Sequence, residues 1–545
     1  MSSTYQAVAF SDHLSLIISV KIQNIVKNRD CPKSRPFFKI SPTVVNDPEF
    51  KERLEYAIKK WVEIKEKFNH NHMDWWEGIV KPGIRKMALT SSKEINKSRR
   101  GQLNLLLLQQ TFFLSRFKKG NKDALISLKE TQNLINNWFQ EEADRTLIQI
   151  GMDEIDEAEE VRIFHHDLHK KRITRSAILE LETETGVLDG HVPCAKYLNN
   201  NVKELLENSF FPDRTAADTL LAELGEEFTE DDNEKLLASP DKEEVWQVIK
   251  SSNLHAAPGK DSITNYLYYK HFAIIGDALT QTVKCIHEGE FPAKSQRTSL
   301  MVFANKPKKA ASIKPSDKRK ISLLNTDFKV ITGIEAKRHA SIMDHTVAEM
   351  QFAAGKNKRI HQAISLARDA IWTASRRKEG GGIADLDFQS AFDLLCMNWI
   401  LEVMKKKGMD DRVIHRLQRI YSNRITITVI NNIPMKEVKN VRGMLCQGDC
   451  PSSFWFAYGI DPLIQYLQQR LEGLPMTSVP RLGPAEKGSP RRLPPLEIKY
   501  KVVGYCDDIK PAISKMSEFF LVDAANSLFE KVSGCRLHRS RLWKM

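Results

Sequence analysis

The chain has 545 residues, 41% of them hydrophobic and 28% charged, enough for a sizeable packed core and roughly two to four domains. That composition excludes a disordered tail, a collagen and a disulfide-stapled miniprotein. Lys plus Arg outnumber Asp plus Glu by 82 to 69, a formal charge of +13 that favours a polyanionic partner, most often nucleic acid.

The N-terminus lacks a basic segment followed by a long apolar run, so no signal peptide is expected. Residues 4–22 read as one or two short strands ending in the apolar stretch Leu14 to Val20, and 23–46, with Pro32, Pro36 and Pro42, as an extended linker. A helix then opens with Asp47 as its cap, Pro48 in its first turn and Glu49 against the positive end of the dipole. Phe50, Leu54, Ile58, Trp61, Ile64 and Phe68 recur along it at helical spacing. Two further long helices are expected over 90–150. Within them the run from Leu103 to Leu114, interrupted by Gln109 and Gln110, is too short and too polar for a bilayer and reads as a buried helix. The acidic run Asp153 to Glu160 reads as a solvated helix face.

Residues 190–250 read as mainly helical. AAPGKDS at 256–262 is a turn ahead of an aromatic-rich helix carrying Tyr266, Tyr268, Tyr269 and Phe272. KPKKAASIKPSDKRK at 306–320 is a basic loop between strand-like segments at Leu300 to Ala304 and Ile321 to Leu324. Gly380, Gly381 and Gly382 precede a strand from Ile383 to Phe388, with a helix expected to about Lys407. Six prolines mark 474–496 as a surface excursion, and a hairpin follows at Val502 to Ile509.

Three stretches carry chemistry. In ADLDFQSAFD (384–393), a strand places Asp385 and Asp387 on one face. In VVGYCDDI (502–509), a hairpin tip presents Asp507 and Asp508. RGMLCQGDCPSSFWF (442–456) is a turn feeding an amphipathic helix. Carboxylates on adjacent strand ends repel, by about 4 kcal/mol at ~4 Å and an effective dielectric near 20, unless a cation lies between them. An all-oxygen donor set suits Mg²⁺. Taken singly these features are bland: a DD pair is usually a turn and a basic loop usually a solubilising surface. His165 and His169, four apart, lack a third metal ligand, and His70 and His72 sit in a polar turn. None of the eight cysteines forms a paired CxxC set, so they read as reduced thiols, with Cys446 and Cys450 packing in the core.

Their order along the chain is specific. APGKDSITNYLYYKHF, KRKISLLNTDFKVITGIEAKR, QFAAGKNKRIHQAISLARDAI, ADLDFQSAFD, RGMLCQGDCPS and VVGYCDD together resemble the reverse transcriptase of non-LTR (LINE-type) retrotransposons, strongly over about 190–538. The resemblance fits group II intron maturases and telomerases less well, because of the SLLNTDFK and RGxxxQGD wording. It implies an α+β right-hand polymerase: fingers, an antiparallel palm sheet backed by helices, and a helical N-terminal extension. The implied reaction is nucleotidyl transfer from a dNTP to a DNA primer 3′-hydroxyl on an RNA template, with two Mg²⁺ ions and Mn²⁺ as a substitute.

By that resemblance Asp387, Asp507 and Asp508 are the metal ligands. Phe392 is the bulky residue that excludes a ribose 2′-hydroxyl, Gln447 and Gly448 contact the template and the incoming base pair, and Tyr505 lies beside the primer end. Arg319 contacts the triphosphate, with Lys308 helping. Asp385 and Asp393 read as structural. AFSDHLSLIISV (9–20) is similar to the last strand region of the nuclease found upstream of such polymerases, with Asp12 and His13 matching its orienting Asp and its base. The upstream carboxylates of that nuclease are absent, so no nuclease activity is expected. The implied organisation is a nuclease remnant at 1–24, a helical extension at 25–190, fingers at 191–375 and palm at 376–545. The end of the sequence soon after YCDD, with Lys320 in place of a Pro and Cys446 at a position commonly basic, suggests a truncated copy with the thumb largely missing. Catalysis is therefore open at this stage, and a non-catalytic RNA-binding remnant is the alternative. No membrane association is expected, and the location is intracellular, with nucleus and cytoplasm both open, as is the oligomeric state.

Overall fold

The protein is described by a computed structural model over residues 2–7, 14–19, 38–150, 177–306, 309, 312–355, 358–377, 381–441, 445–486 and 489–537. Asp12, His13, the acidic run 153–160, His165, His169 and Lys308 lie outside the described residues.

Strands β1 (Ser2–Ala7) and β2 (Leu14–Ser19) form an antiparallel pair, matching the expected strands at the start of the chain. Helix α1 (Pro48–Lys67) begins as its sequence dictates: the Asp47 carboxylate accepts from the Phe50 N–H at 3.3 Å, and Pro48 occupies the first turn. Phe50, Leu54 and Ile58 are buried, but the apolar stripe outruns its partner, leaving Ile64 and Phe68 exposed. Helices α2 (Lys81–Lys118) and α3 (Ala124–Ile150) form the expected long pair. The run at 103–114 is helical but not buried: Leu105 and Leu108 are 58% and 68% exposed, and Phe112 is exposed too. A two-helix hairpin covers one face of each helix, and an apolar run signals a helix without supplying a third neighbour.

The base of α2 is different. Its first turns share one hydrophobic core with α5 and α6 (below), and Lys81 is buried there with three carboxylates. The Lys81 Nζ lies 3.0 Å from Asp327, 3.1 Å from Asp261 and 3.5 Å from Glu77. Trp76 and Gln296 also donate to Asp327. Three carboxylates around one lysine leave an excess negative charge. Burial, with Asp327 beside it, accordingly pushes the Asp261 carboxyl well above its usual range.

A hairpin of β3 (Glu180–Thr183) and β4 (Gly186–Asp189), not anticipated from the sequence, precedes α4 (His191–Glu207) and three shorter helices up to Ser251, the expected helical region. The aromatic-rich segment is broken at His271 into α5 (Asn265–Lys270) and α6 (Phe272–His287). Strands β5 (Thr298–Asn305) and β6 (Lys318–Leu323) flank the basic loop as read from the sequence, and α7 (Thr326–Ala340) follows. Helix α8 (Ile360–Arg376) leads to β7 (Gly382–Ile383) and β8 (Phe388–Gln389), so the single strand expected over 383–388 is interrupted. Helices α9 (Met397–Lys406) and α10 (Asp411–Tyr421) then lead to the hairpin β9 (Arg424–Ile430) and β10 (Ile433–Asn440).

Helix α11 (Ser452–Arg470) runs through the main core with Trp455, Phe456, Ile460, Leu463 and Ile464 fully buried. The proline-rich excursion is instead a long antiparallel ribbon, β11 (Leu474–Glu486) with β12 (Ser489–Tyr500). A two-stranded ribbon tolerates proline because each strand has one edge that needs no donor. β13 (Val502–Tyr505), β14 (Asp508–Ile513), α12 (Met516–Ser533) and β15 (Arg536–Leu537) complete the described chain.

Two sheets matter for the site. One has order β10–β9–β5–β6, with β5 and β9 parallel and the other neighbours antiparallel, so it is mixed rather than purely antiparallel. The other, β13–β14–β7, is antiparallel and lies against α8 and α11. Ala363, Ala367, Ala370 and Ala374 form the buried face of α8, and their small size allows close approach to the sheet. The chain is a mixed α+β fold, and no helix among the described residues is long and apolar enough to cross a membrane.

Candidate active site

The antiparallel register of β14 against β7 brings the acidic motifs together. Ile513 pairs with Gly382 and Ala512 with Ile383, and the same register continues to a bridge between Leu386 and Ile509. Backbone bonds Ala384 N to Pro511 O (3.0 Å) and Leu386 N to Ile509 O (2.9 Å) hold it. Leu386 and Ile509 are fully buried and point into the core. Their sequence neighbours therefore point the other way: Asp387 stands opposite Asp508, and Asp385 opposite Lys510. The Lys510 Nζ lies 2.6 Å from Asp385 Oδ1, as that register requires.

Asp507 belongs to the two-residue turn between Tyr505 and Asp508. The first residue of that turn, Cys506, has φ +53°, a conformation that side chains other than glycine rarely adopt. Gln351, fully buried, embraces it: the Gln351 Oε1 accepts from Cys506 N at 3.1 Å and its Nε2 donates to Cys506 O at 3.3 Å. Residues 350–352 lie beside β13 as an extra edge, through Gly504 N to Met350 O and Phe352 N to Gly504 O, both 2.8 Å. Gly504 leaves room for this contact, since a Cβ there would stand 2.9 Å from Ile509 and 3.2 Å from Gln351 Nε2.

The charges respond to this geometry. Burial, then the neighbouring Asp508 and Asp387, raise the Asp507 carboxyl above its ordinary range. Burial, with Asp385 and Asp387, raises Asp508 as well, while Lys510 opposes the shift. The neighbouring Cys506 thiol is pushed up to about 12 by burial and by both acids. Among the described residues no group of three or more His, Cys, Asp or Glu is gathered closely enough to hold a metal ion. Asp387, Asp507 and Asp508 offer oxygen donors only, the type Mg²⁺ takes, and the charge of Asp387 helps to raise both Asp507 and Asp508.

Of the other sequence-predicted residues, Arg319 lies on β6 and Gln447 and Gly448 lie against it. The Lys320 Nζ forms a 2.7 Å ion pair with the buried Asp393, tying β6 to the segment just after Asp387. Ser322 N donates to Gln447 O at 2.9 Å, tying the same strand to the QG turn. Gly448 has φ +116°, and a Cβ there would meet Ser322 O at 2.8 Å. Gln447 is half-buried and Arg319 exposed. Phe392 is half-buried, with its ring 4.8 Å from that of Phe456 on α11, and Tyr505 is half-buried against the α8–β13 packing. Cys446 is buried as expected, whereas Cys450 is exposed. His72 is a structural residue, bonded to Ala278 O and Thr282 Oγ1 at 3.0 Å each.

Three contributors escaped the sequence reading. Gln351 and Lys510 meet their partners across 155 and 125 residues, so no local pattern gives these contacts, although Gln351 opens the QFAAGK motif. Asp449, within the QG motif, is buried. It accepts from Thr332 Oγ1 at 2.7 Å and Tyr421 Oη at 3.1 Å, fixing the turn on α7 and α10.

Residues 306–540 match the family model for reverse transcriptase (RNA-dependent DNA polymerase). The chain is also 22% identical, over 486 residues, to the "Transposon TX1 uncharacterized 149 kDa protein" of Xenopus laevis. That alignment covers 87% of this chain and 35% of the relative, so the chain spans about a third of the relative's length. With its acidic motifs paired across β7 and β14 inside the matched region, the chain carries a reverse-transcriptase-like region over residues 306–540.

Proposed function

We propose that the chain is an RNA-directed DNA polymerase of a non-LTR retrotransposon, joining dNTPs to a primer 3′-hydroxyl on an RNA template. The observation that carries this is the register that sets Asp387 across from Asp508, with Asp507 on the adjoining turn. In this reading β13, β14 and β7 with α11 are the palm, within 376–545, and the β5–β6 hairpin and α8 belong essentially to the segment 191–375, read as fingers. Residues 25–190 are a helical extension, and 1–24 a nuclease remnant.

Asp387, Asp507 and Asp508 would hold two Mg²⁺ ions. When bound, such ions lower the pKa of a coordinated hydroxyl and neutralise charge on phosphate oxygens. The protein's own contributions are positional. Lys510 keeps Asp385 occupied, leaving Asp387 and Asp508 as the facing pair. Arg319, exposed on β6, supplies a cation for the triphosphate, and Lys308 lies on the same basic loop. Phe392, braced by Phe456, fills the space under the sugar and discriminates against a 2′-hydroxyl. Gln447 and Gly448, anchored to β6, face the template and the nascent base pair, and Tyr505 the primer end. In the products, pyrophosphate leaves as the 3′-oxygen bonds to the α-phosphorus.

The test is extension of a labelled DNA primer on an RNA template with Mg²⁺ and dNTPs, beside Asp507→Ala/Asp508→Ala. Extension by the wild type alone supports the reading, and none from a folded wild-type chain overturns it. The net charge of +13 supports a second reading, an RNA-binding protein without catalysis. It predicts RNA affinity that falls steeply with salt, and no extension.

A further inference from the structure

We infer that Gln351 is the positioning residue of the Asp507–Asp508 turn, fixing the carboxylates by holding both main-chain groups of Cys506. The polymerase reading supplies only the kinetic arm of the test below.

A two-residue hairpin turn leaves the backbone groups of its first central residue without partners across the hairpin. In this turn that residue is Cys506, held in the left-handed region. One side chain serves both groups. The Gln351 carbonyl oxygen accepts from Cys506 N and also from Ala353 N at 3.1 Å, while its amide nitrogen donates to Cys506 O. A carboxamide can do this because it carries a donor and an acceptor on one planar group, whereas a carboxylate offers acceptors only and a thioether neither in strength. Gln351 itself is fully buried, whereas Cys506 is half-buried. Gly504 is the complementary half of the device, because the absence of its Cβ admits the amide nitrogen.

The consequence is geometric. Asp507 follows Cys506 directly and Asp508 begins β14, so a rotation of the Cys506 peptide unit moves both carboxylates relative to Asp387 on the neighbouring strand. Gln351 also lies in the segment between α7 and α8, so the turn is coupled to the loop that introduces α8. Small displacements of reacting groups carry large rate penalties, which is how a residue that touches no substrate can act.

The experiment compares Gln351→Met, similar in length but without the bonds, with Gln351→Glu, which keeps the two N–H acceptors. Amide exchange read by mass spectrometry on peptides covering 350–354 and 503–509 is the first readout. Gln351→Met is expected to exchange about tenfold faster in both peptides, with Gln351→Glu closer to wild type at 350–354. The second readout is primer extension per folded molecule. The expectation is a kcat at least about tenfold lower in Gln351→Met and an unchanged KM for dNTP. Unchanged exchange at 503–509, or a kcat per folded molecule equal to wild type, overturns the inference. If the wild type extends no primer, the polymerase reading falls while the exchange experiment still decides this one.

Discussion

Replacing Asp508 by Asn should make the metal-free protein more stable, a prediction that follows from register alone. Asp387 and Asp508 face each other on neighbouring antiparallel strands, where Cβ atoms are about 5 Å apart and like charges are destabilising. At a charge separation of ~6 Å the repulsion is about 3 kcal/mol at an effective dielectric of 20 and below about 1 kcal/mol in water. Asp508 is exposed and Asp387 half-buried, so the lower part of that range applies. Lys510 offsets some of the repulsion, but its ammonium is committed to Asp385. Asp508→Asn should therefore gain about 1 kcal/mol in urea denaturation with EDTA at pH 7.

The pH dependence has a definite sign. Burial and the facing acids raise the folded-state pKa of Asp507 and of Asp508. The repulsive cost is thus fully present above those raised values. It is relieved as pH falls through them toward the unfolded value near 4. The advantage of the variant over wild type should shrink over that window. Mg²⁺ at 100 times its Kd should then stabilise wild type by about 2.7 kcal/mol and the variant by less, reversing the order. A variant less stable than wild type in EDTA at pH 7, or a difference indifferent to both pH and Mg²⁺, would refute the reasoning.

Three further outcomes are expected. Lys320→Ala strands the buried Asp393 and should cost about 3 kcal/mol in urea denaturation, most of it recovered in Lys320→Ala/Asp393→Asn; equal cost in single and double variants contradicts the pairing. Asp261→Asn should flatten the stability profile between about pH 4 and 7, because the raised carboxyl beside Asp327 burdens the wild type more as pH rises through its folded value; a wild type that instead gains on the variant with rising pH contradicts it. Phe392→Ala, which removes the ring braced by Phe456, should raise ribonucleotide use relative to deoxyribonucleotide use by at least about tenfold in single-nucleotide incorporation; an unchanged ratio removes Phe392 from sugar discrimination.

Local features were legible in the sequence where local physics decides them. Asp47 and Pro48 start α1 because a cap and a fixed φ act over one turn, and the basic loop falls between β5 and β6 because strands and loop have distinct compositions. The acidic motifs were legible as motifs. Their facing pairs were not, because Asp387 meets Asp508 and Asp385 meets Lys510 only once β7 is laid against β14. Gln351 opens the QFAAGK motif, yet its contacts were not legible there, since its partner is a peptide unit 155 residues away. The run at 103–114 failed in the opposite sense: its periodicity predicts a helix, yet nothing in the run encodes whether a neighbour covers it, and among the described residues Leu105 and Leu108 stay exposed. The prolines of 474–496 mark a surface excursion but not its strands, which a two-stranded ribbon admits because it is all edge.

The most direct measurement is the single-turnover rate of dNTP incorporation into a DNA primer annealed to an RNA template by wild type and by Asp387→Asn at saturating Mg²⁺. Asp387 is the decisive position, because its pairing with Asp508 is what joins the two acidic motifs into one site. The account predicts incorporation by wild type and a loss of at least about a thousandfold in Asp387→Asn, with folding intact by urea denaturation. Incorporation by Asp387→Asn within about tenfold of wild type would contradict it.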